Sequence, residues 1–127
     1  MSKKALIITD GTAKIENIAH CISSALSGYD VKTCSSAKFE GTDILPVDVF
    51  FIGCEKPSPS SFSYLQEMLS HINLASRKCA IFSVNEDALD YLRAIVKDCE
   101  ATLGSALHAK SENYEKSALV DWVKKVL

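Results

Sequence analysis

The 127-residue sequence has no long apolar run: no stretch approaches the ~18 apolar residues that span a bilayer. It also lacks a charge excess. Its 14 lysines and arginines stand against 16 aspartates and glutamates, a net charge of −2. Such a balance gives no whole-surface field to draw nucleic acid or an anionic membrane. Cysteine pairing is missing too. Cys21, Cys34, Cys54, Cys79 and Cys99 are odd in number and widely spaced, with no C-x-x-C and no Cys/His ligand pair. A disulfide framework is therefore not expected, and Cys21, Cys79 and Cys99 read as buried, inert thiols. The start, Met1-Ser2-Lys3-Lys4, is basic, but the apolar run after it stops at Thr9. That is too short for a signal-peptide core, and the expectation is a cytoplasmic protein.

What is present is an alternation of strand and helix patterns over residues 1–127, read as a single domain. Ala5-Leu6-Ile7-Ile8 is a buried strand. Ile15, Ile18, Ala19, Ile22, Ala25 and Leu26 form one helical face, which Gly28 stops. Tyr29 to Cys34 alternates like a half-exposed edge strand. Residues 35–46 hold a short helical turn before Pro46. Val47 to Ile52 is apolar and ends at Gly53, and Phe62, Leu65, Leu69 and Ile72 give the next helical face. Lys78 to Val84 is a fourth strand. Leu89, Leu92, Ile95, Val96 and Cys99 stripe the helix that follows, which Asn85 can cap. A fifth strand is expected over Ala101 to Leu107. The last helix is expected from about Glu112, with Ala118, Trp122, Val123 and Val126 facing inward. This pattern predicts an α/β doubly wound three-layer sandwich with a five-stranded parallel sheet in the order 2-1-3-4-5.

In open sheets of this kind, ligands sit at the C-terminal strand edge. Three loops are predicted there. The first is Thr9-Asp10-Gly11-Thr12-Ala13-Lys14, whose helix start can hold an anion. The second is Cys54-Glu55-Lys56-Pro57, continuing through Ser58, Pro59, Ser60 and Ser61. The third holds Ser83 and Asn85.

The residues after the first strand resemble the flavodoxin phosphate loop, S/T-x-T-G-x-T. The matching stretch is Asp10-Gly11-Thr12-Ala13-Lys14-Ile15, continued by Glu16-Asn17-Ile18-Ala19. Thr12 matches a motif letter. The motif's first serine is Asp10 here, its glycine Ala13 and its last threonine Ile15. Asp48 to Gly53 with its Pro-rich loop, and Ala80-Ile81-Phe82-Ser83, are similar to the strands that precede the two flavin-side loops. The resemblance implies a flavodoxin-like fold, non-covalent FMN, one-electron transfer and a redox partner protein. It also implies a carrier rather than a catalyst. FMN-contacting residues would be Thr9, Asp10, Gly11, Thr12, Ala13, Lys14, Cys54, Glu55, Lys56, Pro57, Ser83 and Asn85.

Alternatives stand beside each site. Thr12 as an N-cap and Gly11 as a turn residue explain the first loop without a ligand. Asp10 opposes a phosphate unless it points away. Phe62 or Tyr64 could stack on a flat ring, although Phe62 also fits the core. Cys54 could be a stabilised thiolate at a helix start, or a structural cysteine. His20, His71 and His108 show no carboxylate partner. A cofactor-free docking or regulatory module, flavodoxin-like or receiver-like, is the second function class. Asp10, Ser83 and Lys110 match a receiver loosely, and Gly53 stands where the phosphoacceptor would be.

Overall fold

The computed structural model of the chain describes residues 3–109 and 116–127. The strands are β1 (Lys3–Thr9), β2 (Tyr29–Ser35), β3 (Val49–Gly53), β4 (Lys78–Ser83), β5 (Thr102–Leu103) and β6 (Leu107–His108). The helices are α1 (Ala13–Ala25), α2 (Gly41–Ile44), α3 (Ser63–Leu69), α4 (Glu86–Val96) and α5 (Lys116–Val126). The sheet runs β2-β1-β3-β4-β5, with β6 also paired to β4, and every pairing is parallel. The predicted order 2-1-3-4-5 is the observed one.

Side chains on a strand point to alternate faces, and this builds two cores. Leu6, Ile8, Phe50, Ile52, Cys79 and Ile81 pack beneath α2, α3 and α4. Ala5, Ile7, Val49, Phe51, Ala80 and Phe82 pack against α1 and α5. Covered on both faces, β1, β3 and β4 must be apolar at almost every position, whereas β2 at the edge keeps a mixed pattern. The helices obey the same logic at period 3.6. Ile15, Ile18, Ala19 and Ile22 are the buried residues of α1.

The expected fifth strand is interrupted. Leu103 pairs with Cys79 and Leu107 with Phe82. Leu107 is four positions after Leu103, whereas Phe82 is three after Cys79, so the chain carries one residue more than the ladder can use. Gly104 keeps a bond to the Cys79 carbonyl at 2.8 Å. The Ser105 carbonyl instead accepts from Trp122 Nε1 at 2.6 Å, which draws this segment out of the sheet.

Two inward faces differ from expectation. In α5, Leu119, Trp122, Val123 and Val126 are buried and Ala118 is exposed. Leu119 completes the i, i+3, i+4, i+7 stripe, and Ala118 lies 100° around the helix from it. Ile72 falls beyond the end of α3 and is only partly buried. Cys79 and Cys99 are fully buried, while Cys21 is half-buried. The expected helix start at Glu112, and Lys110, lie outside the described residues.

Candidate functional site

The loops after β1, β3 and β4 meet at the C-terminal edge of the sheet, and two side chains bind them together. Asp10 follows β1 directly. Its Oδ1 accepts the Thr12 N–H at 3.1 Å and the Thr12 hydroxyl at 2.7 Å, and its Oδ2 accepts the Glu55 N–H at 2.8 Å. Asp10 thus points into the turn and joins the first loop to the second. Ser83, at the end of β4, is fully buried. It donates to the Cys54 carbonyl at 2.6 Å and accepts the Asn85 N–H at 3.1 Å, joining the second loop to the third.

The first turn forms locally. Gly11 sits at φ +83°, where a side chain would be strained. Thr9 is buried; its hydroxyl donates to Glu16 Oε1 and accepts the Gly11 N–H at 3.3 Å. Thr12 occupies the N-cap position of α1 with extended backbone, but its side chain caps no N–H. Its hydroxyl donates to Asp10 and accepts no helix N–H, so the expected side-chain cap is not made. Among the described residues no partner takes the N–H groups of Ala13, Lys14 and Ile15, the ordinary orphans of a helix start. Lys14 Nζ lies 3.7 Å from Glu55 Oε1, both partly exposed.

In the second loop, Lys56 and Pro57 are exposed, and Ser58 takes a left-handed φ of 51°. Cys54 is fully buried. Burial pushes its thiol up to about 12, with the Asp10 charge adding to the effect. Cys54 is therefore held as a protonated thiol, and the stabilised-thiolate alternative is set aside. Phe62 is fully buried in the core near Tyr91. Tyr64 lies against Phe39 and accepts the Gly41 N–H at 3.1 Å. Phe62 is therefore a core residue, and Tyr64 is half exposed beside Phe39.

The third loop is short. Asn85 caps α4, its Oδ1 accepting the Asp87 N–H at 3.0 Å as expected. His108, at the end of β6, has a partner the sequence did not suggest: its Nδ1 lies 2.9 Å from Glu86 Oε2. The two residues are 22 positions apart, and only the pairing of β6 with β4 brings them together. No group of three or more His, Cys, Asp or Glu among the described residues could hold a metal ion. No helix among them is long and apolar enough to cross a membrane.

No family model matches the chain, and no curated protein does. Solved structures do match it. A flavodoxin from Streptococcus pneumoniae TIGR4 superposes with a TM-score of 0.85 at 16% identity, over 98% of this chain and 97% of that one. A short-chain flavodoxin associated with a non-canonical PDU bacterial microcompartment gives 0.86 at 15% identity, over 99% and 97%. A chemotaxis response regulator of Vibrio cholerae gives 0.59 at 16% identity over 100% of both chains. The fold of this chain is flavodoxin-like. At such identities the likeness speaks for the fold alone.

Proposed function

We propose that this chain is an FMN-binding electron-transfer protein of the flavodoxin type, acting in the cytoplasm as a single domain with a redox partner protein. The observation that carries the reading is the convergence of three loops, tied together by Asp10 and Ser83, at the strand edge of a flavodoxin-like fold. The flavin would lie across the C-terminal ends of β1, β3 and β4. When bound, it would supply one-electron redox chemistry.

The fit to FMN varies along the site. At the first turn of α1 the N–H groups of Ala13, Lys14 and Ile15, with the Lys14 ammonium, suit a phosphate. Thr12 suits it less, because both its donors serve Asp10. Thr9 and Gly11 would shape the turn. Glu55, Lys56 and Pro57 would flank one side of the ring and Asn85 the other, while Cys54 and Ser83, both fully buried, would hold the two loops at fixed separation beneath it.

The second reading is a docking or regulatory module that needs no cofactor. The observation favouring it is that Asp10 already satisfies donors of the first two loops. Its phosphotransfer version has no support, since residue 53 has no room for a side chain. Titration of the purified protein with FMN, followed by visible absorbance and fluorescence quenching, separates the two. Saturable binding supports the carrier. No binding at high micromolar FMN leaves the docking module.

A further inference from the structure

We infer that Asp10 is an internal competitor for the phosphate end of the flavin and sets how far this edge discriminates FMN from riboflavin. The inference rests on the flavin reading above. The Asp10 carboxylate accepts three hydrogen bonds: two from Thr12, at 3.1 and 2.7 Å, and one from the Glu55 N–H at 2.8 Å. The backbone donors come from two different loops and converge on one side chain. A carboxylate held by several donors is an anion already seated in the turn.

A phosphate approaching the start of α1 meets that charge at close range, and like charges at such distances repel appreciably even near a protein surface. It also finds the Thr12 donors taken. The remaining donors are the N–H groups of Ala13, Lys14 and Ile15 and the Lys14 ammonium. That ammonium is shared with Glu55 at 3.7 Å, and Glu16 adds a further carboxylate in the first turn, bound by Thr9. Riboflavin has the same ring and no phosphate, so Asp10 has little to repel in it. The residue therefore acts on one end of the ligand.

Asp10→Asn removes the charge and keeps an acceptor for Thr12. Asp10→Ser places at this position the residue of the flavodoxin motif and frees the Thr12 donors. The experiment titrates wild type and both variants with FMN and with riboflavin, after circular dichroism and melting show that each is folded. FMN should bind the variants at least roughly tenfold more tightly than wild type, a step of about 1.4 kcal/mol. Riboflavin affinity should stay nearly unchanged. Equal FMN affinity in all three proteins, or an equal gain for both flavins, overturns the inference. If neither flavin binds any of them, the flavin reading itself fails. Inorganic phosphate then decides the inference, followed through the amide NMR signals of Thr12 to Ile15. Shifts in both variants that wild type lacks support it, and the same response in all three overturns it.

Discussion

The ring of Phe82 occupies the space that a side chain on Gly53 would need. A Cβ built on Gly53 falls inside contact with three atoms of the ring, the farthest of them at 2.6 Å. The two residues are register partners on β3 and β4, so an added side chain at 53 has to displace the ring. Gly53→Ala should destabilise the protein by about 1–3 kcal/mol, the usual range for overpacking. Urea unfolding measures it. Adding Phe82→Leu should recover part of the loss, because the two changes share one space. A Gly53→Ala variant of full stability would show that the ring can step aside.

Lys14 tests the phosphate end from the other sign. Lys14→Glu should weaken FMN binding much more than riboflavin binding, because it turns an attraction for the phosphate into a repulsion. Flavin fluorescence quenching reads both. Equal losses for the two flavins would mean that the phosphate is not held at this turn.

Ser83 is buried and serves two loops. Ser83→Ala leaves the Asn85 N–H and the Cys54 carbonyl without this partner. The expected cost is about 1–3 kcal/mol, more than an exposed serine would show. Asn85→Ala removes only the cap of α4 and should cost about 1 kcal/mol. Denaturant midpoints at equal m-value test the order; a larger loss for Asn85→Ala than for Ser83→Ala would refute it.

Alkaline pH should expose the buried thiols. The Cys54 thiol is raised from 9.0 to about 12, and that of Cys34 to about 11, each mainly by burial. The unfolded chain therefore releases these protons first. The contribution of each group is complete below about pH 9 and is lost as pH rises through its folded value. Per group, the loss approaches about 1.4 kcal/mol per pH unit between the two values. Cys54→Ala should make the fall of stability between pH 9 and 11 shallower than in wild type; parallel curves would contradict it. Iodoacetamide at pH 8 should spare Cys54 in the native protein and modify it in urea.

Much of the architecture was legible along the chain. The runs at Ala5–Ile8, Val47–Ile52 and Lys78–Val84 read as buried strands because a doubly covered strand must be apolar on both faces, and the strands observed lie within a residue or two of them. The Ile15, Ile18, Ala19, Ile22 stripe read as a helix because 3.6 residues make a turn. Asn85 read as a cap because its partner, Asp87, is two residues away. The break between β5 and β6 was not legible, since it depends on the Ser105 carbonyl meeting Trp122. The choice of Leu119 over Ala118 in α5 was legible in principle from the i, i+3, i+4, i+7 spacing.

The candidate site divides in the same way. Its location follows from strand order, and strand order follows from local periodicity and short connections. Thr12 read as an N-cap and holds that position, but its side chain donates to Asp10 and caps no helix N–H. Asp10 itself could have pointed outward. Thr12, two residues on, holds it in the turn, and Glu55, 45 residues further along, offers a backbone N–H from a neighbouring strand end. His108 found Glu86 in the same way, through β6 lying beside β4. Periodicity and capping involve residues a few positions apart, so the sequence alone determined the elements except the split fifth strand, their order and the edge where the loops gather. Hydrogen bonds between loops join residues far apart in the chain. Only the packed sheet, by setting those loops side by side, decided which donors are taken and which stay open to a ligand.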